Sequence, residues 1–317
     1  MNLARVFLPA ANRGLAHPAL ARRLLRDSVV VFLYHEVSDT PAEFATLFGL
    51  NVRPETFSRQ MEMIGEHFHW TSPEELLTGR VRKPAALVTF DDGNLSYFRT
   101  ALPILKEKGI PSIAFLNMGT IRGEVCWSGL TTYLQKKEPG FGCFLGRTFG
   151  ENDYREFTRE EVDRYLDSVD AEELLGRVRR FRGAIAAEQD LEAVSGEPLV
   201  WLGNHLYNHY NATLLNGQLR EEYRKNQRLL ESHPRQIPFF SYPFSCLNRE
   251  TTRLLREEGA KVLFGGGGLP NWGDHRNLYA QIALDDRMDT EEKLFARILE
   301  NVLAGSCRRL LRGRWLE

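Results

Sequence analysis

The chain has 317 residues, 43% hydrophobic and 26% charged, the balance of an ordinary globular protein able to bury a large core. Forty-one basic residues against forty-two acidic ones leave a net charge of −1, so composition offers no electrostatic footprint for nucleic acid as a partner. The four cysteines, Cys126, Cys143, Cys246 and Cys307, include no CxxC pair, which points away from a disulfide framework or a zinc ribbon.

Residues 1–28 form a basic arm with Arg5, Arg13, Arg22, Arg23 and Arg26 ahead of any acidic residue. Asn12 and Arg13 interrupt its apolar run, so a secretory signal is not expected and the cytoplasm is the expected compartment. Peripheral contact with an anionic membrane surface is the sharper reading of the arm. VVVFLY (29–34) reads as a buried strand, and Pro54–Glu55 open a helical pattern over 53–68. AALVTF (85–90) predicts a strand, 95–109 a helix stopped by Gly109, and 111–117 a further strand. Strand, helix and strand with short connections make a βαβ unit, hence a parallel sheet. Residues 121–196 lose this alternation and read as a mostly helical insertion. It resumes with a strand at 198–204, a helix at 215–232, a strand at 237–244, a capped helix at 248–259 and strands at 260–266 and 278–284. About seven strands separated by helices predict an α/β barrel-like fold. Its first part is 29–120 and its second 197–287, followed by a helix with a basic tail at 288–317. GGGG (265–268) precedes no helix and reads as a turn rather than a phosphate cradle.

LVTFDDGN (87–94) ends an apolar run with two carboxylates. An acidic pair before glycine is usually a solvated turn. In parallel α/β folds, however, functional groups gather at the C-terminal ends of strands, where Asp91 and Asp92 fall. GNHLYNHYN (203–211) follows a later strand and supplies His205 and His209 at i, i+4 spacing. That spacing is expected to bring both rings to one side of a helical turn. Two histidines and one carboxylate are a common catalytic zinc set, with positions left for water and substrate. One aspartate can then hold the metal while its neighbour acts as base. Trp127 and Tyr133, in the insertion, suit an aromatic wall of a binding site, or the packing of the insertion itself.

TFDDG followed by GNHLYNH resembles the polysaccharide deacetylase family, the proteins with a NodB-homology domain (carbohydrate esterase family 4). FFSYPFS (239–245) resembles the family's third motif, and LYHEV (33–37) the YHxV first strand of many members. The resemblance implies a distorted (β/α) barrel with a divalent metal, usually zinc, and hydrolysis of an N-acetyl group on an amino sugar. Carried over by position, it makes Asp91 the general base and Asp92, His205 and His209 the metal ligands. Tyr242, Pro243 and Phe244 would line the substrate groove. Leu206 stands where the second motif has Ser or Thr, and Ser241 where the third has arginine. No L-x-x-H motif appears near the C-terminus, where many members keep their general acid. A branch with rearranged motifs places that histidine on the first strand, and His35 fits this branch.

The expected protein is thus a cytoplasmic, metal-dependent N-deacetylase acting on an amino-sugar precursor of a surface glycan, nucleotide-linked or lipid-linked. An N-deformylase of a lipid-linked amino sugar and a catalytically silent glycan- or partner-binding barrel are the alternatives. The first is motivated by the family's range, the second by Ser241 and the missing C-terminal histidine.

Overall fold

The structure, a computed structural model, describes residues 23–265, 271–272 and 277–312. Most of the basic arm, three of the four glycines of GGGG, His275 and the end of the basic tail lie outside the described residues.

Six parallel strands follow one another around a ring: β1 (Ser28–Tyr34), β2 (Ala85–Phe90), β3 (Ser112–Leu116), β4 (Val200–Asn204), β5 (Gln236–Ser241) and β6 (Val262–Phe264). The stretch expected as one strand at 278–284 is two short ones, β7 (Leu278–Tyr279) and β8 (Gln281–Ala283). They break at Ala280 because they serve opposite neighbours. β7 pairs with β6, and β8 pairs with β1, which closes the sheet into a barrel. Asn271–Trp272 adds an antiparallel pair at the start of β1.

Every residue of β1 to β4 is buried, as expected for strands covered on both faces. Their period of two sorts the side chains into separate cores. Val30, Phe32, Ala86, Val88, Ala114 and Leu202 pack outward against helical residues such as Phe57, Met61 and Leu105. Val29, Val31, Ala85, Leu87, Ile113, Phe115, Trp201 and Phe239 fill the barrel interior. Continuing that interior parity along the strands leads to His35, Asp91, His205 and Ser241 at the C-terminal mouth.

The helix expected at 95–109 opens with a π-helical turn, Tyr97–Ala101, and continues as Leu102–Glu107. Pro103 has no N–H to donate backward, so the ladder widens there. Between β3 and β4 lie helices Trp127–Lys137, Pro139–Leu145, Arg159–Leu166, Ala171–Arg182 and Glu188–Ala193. Trp127, Leu134, Phe141, Val162, Leu174 and Val178 give this segment a hydrophobic core of its own.

Candidate active site

Asp91 and Asp92 follow β2 directly, and they face the same cavity by different means. Asp91 has the interior parity of Leu87 and Thr89. Asp92 does not, and its backbone turns left-handed, with φ 73° followed by φ 71° at Gly93. Aspartate is among the few non-glycine residues that tolerate this region. The turn swings the second carboxylate back toward the mouth. Both are buried, Asp91 at 5% and Asp92 at 3% exposure, so neither is the solvated turn residue that composition alone would suggest.

His205 and His209 do not share a helical turn. The segment after β4 is irregular, with left-handed residues at Leu206 (φ 63°) and His209 (φ 60°). Local side chains outcompete the helix ladder here. Leu206 N–H donates to Asn204 Oδ1 at 2.9 Å, and the Asn117 amide donates to the carbonyls of both His205 and Leu206. The outcome for the rings is nonetheless the expected proximity, with centroids 4.7 Å apart and planes at 75°.

Asp92 Oδ1 lies 3.1 Å from His209 Nε2 and 3.4 Å from His205 Nε2. His205 Nδ1 sits 2.8 Å from the Ser241 carbonyl, which can only accept, so the Nδ1 proton is placed there and Nε2 carries a lone pair. In the neutral ring that lone pair faces a carboxylate oxygen, and either a proton on Nε2 or a metal cation between the two atoms resolves the contact. One ligand atom from each of Asp92, His205 and His209 lies within 4.8 Å of the others, so the donor set fits a divalent ion. The Nδ1–H···O=C bond of His205 is also the outer-shell contact usual for a ligating histidine.

Ser241, in the arginine slot of the third motif, supplies a different partner to Asp91. Its hydroxyl lies 3.0 Å from Asp91 Oδ2 and 3.2 Å from Gln281 Oε1, while Gln281 Nε2 donates to Thr89 Oγ1 at 3.1 Å. A hydroxyl has one proton to give, and the charged acceptor takes it. Asp91 Oδ1 has no hydrogen-bond partner.

The buried arginine of the site comes from the insertion. Arg182 Nη2 donates to Asp92 Oδ2 at 2.8 Å and Nη1 to Asn94 Oδ1 at 2.8 Å. Sequence reading missed it, because Arg177, Arg179, Arg180 and Arg182 together look like one solvated helix end. Burial opposes the ionised form of Asp92, but His209, His205 and Arg182 outweigh it and hold its pKa well below the carboxylate range. Burial lowers the pKa of His209. His205 ends above its ordinary value, because Asp91 and Asp92 together outweigh burial. His35 is half-buried at the end of β1. Its pKa is lowered by burial, against the pull of Asp92 and Asp91.

The expected groove residues divide. Phe244 is half-buried, and its ring meets His209 edge-on at 4.7 Å. Pro243 beside it is buried. Tyr242 is a correction: it is 1% exposed and its hydroxyl is bonded to Thr252, so the ring belongs to the core between β5 and helix Arg249–Glu257. Trp127 is a second, at 7% exposure and packed on Tyr210 at 4.7 Å within the insertion's core. For both, apolar burial against neighbouring helices won over a sugar-facing position. Two clefts flank the end of helix Ala171–Arg182. One, of about 270 Å³, is lined by Thr120, Glu124, Val178 and Ala186. The other, of about 320 Å³, is lined by Glu36, Ser38, Thr40, Ser96, Arg99 and Arg180.

The class that fold and site define is a parallel α/β barrel carrying buried carboxylates and histidines at its C-terminal mouth. The sequence profile of polysaccharide deacetylase matches residues 78–263, more than half of the chain, and the protein belongs to that family. No curated protein matches the sequence at a significant level. Among solved structures the fold is similar to IcaB from Ammonifex degensii, with TM-score 0.58 and 18% identity over 86% of this chain and 97% of that one. It is also similar to the Streptococcus pyogenes deacetylase PplD in complex with acetate (0.57, 16%, 87% and 99%). A third likeness is to a de-N-acetylase from Aggregatibacter actinomycetemcomitans (0.56, 14%, 85% and 100%).

Proposed function

We propose that the protein removes an N-acetyl group from an amino sugar of a surface-glycan precursor, with a divalent ion held by Asp92, His205 and His209. The observation that carries this reading is the convergence of two histidine Nε2 atoms on Asp92 Oδ1, beside a second carboxylate held by a hydroxyl. When bound, such an ion, zinc first among candidates, supplies Lewis acidity to the acetyl carbonyl and acidifies water.

The remaining work falls to side chains. Asp91 takes the proton of the attacking water on its unpartnered Oδ1, while Ser241 holds Oδ2. His35 gives a proton to the amine nitrogen as the C–N bond breaks, since an unprotonated amine leaves poorly. The cleft of about 320 Å³ lined by Glu36, the residue after His35, offers Ser38, Thr40 and Ser96 hydroxyls and two arginines to a sugar and its carrier. Phe244 gives the sugar an apolar edge next to His209. The arginines among residues 1–26 support a lipid-linked precursor at the inner face of an anionic membrane. Among the described residues no helix is long and apolar enough to cross a membrane.

The test is acetate release, followed by mass spectrometry, from a panel of N-acetylated sugar nucleotides, undecaprenyl-linked sugars and amino-sugar oligomers, with the protein loaded with zinc or stripped by chelator. Metal-dependent loss of an acetyl mass from at least one substrate is expected. A silent panel from a folded, zinc-loaded protein would overturn the reading.

A further inference from the structure

The arginine slot of the third motif holds Ser241, yet the site does contain a buried arginine, brought from another part of the chain. We propose that Arg182 is the positioning residue of Asp92 and makes the helical insertion part of the metal-holding set. This rests on the reading of Asp92, His205 and His209 as metal ligands. The two oxygens of Asp92 are divided between two tasks. Oδ2 is held by Arg182 Nη2 at 2.8 Å, and Oδ1 is left facing both histidines. The other prong of the guanidinium takes Asn94 Oδ1 at 2.8 Å. Asn94 belongs to the same DDGN turn, so one rigid fork fixes that turn at two points. The fork is held from behind by the Phe44 ring, 4.7 Å from the guanidinium carbon. Arg182 and Asp92 side chains are each 4% exposed, so the pair lies out of water.

The backbone explains why the arginine arrives there. Residues 184–186 run antiparallel to the turn, tied by Leu95 N–H to the Ala184 carbonyl and Ala186 N–H to the Gly93 carbonyl, both at 3.0 Å. Asn94 and Ile185 form the bridge between these bonds. Gly183, at φ 86°, joins this strap to the helix, and a Cβ there would lie 2.5 Å from Ala42 Cβ. Arg182 is therefore the last helical residue before a strap pinned to the catalytic turn.

Two physical effects of opposite sign meet at this residue. The guanidinium charge repels a cation, which alone would weaken metal binding. Holding Asp92 in place strengthens it, and outer-shell partners of ligands are typically worth about 10–100-fold in affinity or activity. The left-handed backbone of Asp92 and the buried position of Oδ2 make the second effect the larger one. Without the fork, Oδ2 is a buried acceptor with no replacement donor in place, and the carboxylate turns to find one.

The experiment is a zinc titration of the full chain against a chromogenic chelator, for the parent, Arg182→Met and Arg182→Lys, with metal-free thermal unfolding to establish that each is folded. Arg182→Met is expected to bind zinc at least tenfold more weakly. Arg182→Lys keeps the charge but cannot bridge Asp92 and Asn94 with a fixed fork, and it is expected to lose at least threefold. Parental or tighter zinc affinity in folded Arg182→Met overturns the proposal. Should that variant fail to fold, affinity within twofold of the parent in Arg182→Lys overturns it. A parent that binds no zinc overturns the metal reading itself, a result distinct from unchanged variants of a parent that binds.

Discussion

Adjacent aspartates with different surroundings predict different losses. Asp91 has Ser241 on one oxygen and an open second oxygen, whereas Asp92 is engaged by Arg182 and both histidines. Asp91→Asn is expected to keep zinc, measured by metal analysis after desalting, and to lose about 10²–10⁴-fold in turnover, the usual contribution of a general base. Loss of metal in Asp91→Asn with retention in Asp92→Asn would reverse the two roles. His35 carries the complementary prediction. Its pKa lies below the ordinary 6.5 because burial outweighs the two aspartates. A group acting as acid works while protonated, so kcat/KM should fall as pH rises through that lowered value. In His35→Gln that limb should vanish and turnover drop about 10²-fold with metal retained. A limb that survives unchanged removes His35 from the acid role. Much of this set was legible in the sequence, since a period-two count from the interior residues of β1, β2, β4 and β5 lands on His35, Asp91, His205 and Ser241. Asp92 breaks that count and His209 lies beyond the end of β4, in an irregular loop where the count no longer applies; both have left-handed backbones.

At the scale of elements, the insertion decides what Trp127 does. Its ring packs on Tyr210, in one cluster with Leu134, Phe141 and Val178, and Tyr210 directly follows His209. Trp127→Ala is therefore expected to destabilise the fold by about 3–5 kcal/mol, as large aromatic truncations in cores do, whereas Trp127→Phe should keep KM close to the parent. Thermal unfolding and substrate saturation separate the cases. A several-fold rise in KM for a fully stable Trp127→Phe would return the ring to the sugar. The strands and most helices could be read from local pattern, because each is one apolar run or one amphipathic period between turn residues. The path of the His205–His209 loop could not, being set by Asn204 and Asn117 side chains that bond its backbone. Nor could Arg182 be told from its neighbours, because what singles it out is a strap pairing with residues 93–95, about 90 positions earlier in the chain.

At the scale of the whole molecule, the site gathers β1, β2, β4 and β5 of the barrel together with the insertion, so an ion held there ties together segments far apart in sequence. Asp91 Oδ1 is buried without a hydrogen-bond partner, and Asp92 Oδ1 is buried facing two histidine Nε2 atoms, an arrangement that a cation would complete. A ligand that binds only the folded chain stabilises it by RT ln(1 + [L]/Kd), about 2.7 kcal/mol at a hundredfold excess over Kd. With roughly 2–4 °C per kcal/mol for domains of 150–250 residues, that is a rise of several degrees in Tm. Zinc should therefore raise the Tm of the chelator-stripped parent, and the rise should grow with the logarithm of free zinc. His209→Ala removes one of three ligands and should abolish the rise, while Asp91→Asn, which leaves the set intact, should keep it. The two variants differ by one buried polar group each, so a general loss of packing would lower both baselines and leave the contrast between them. A parental Tm indifferent to zinc, or an equal rise in His209→Ala, would show that these three side chains do not hold the ion.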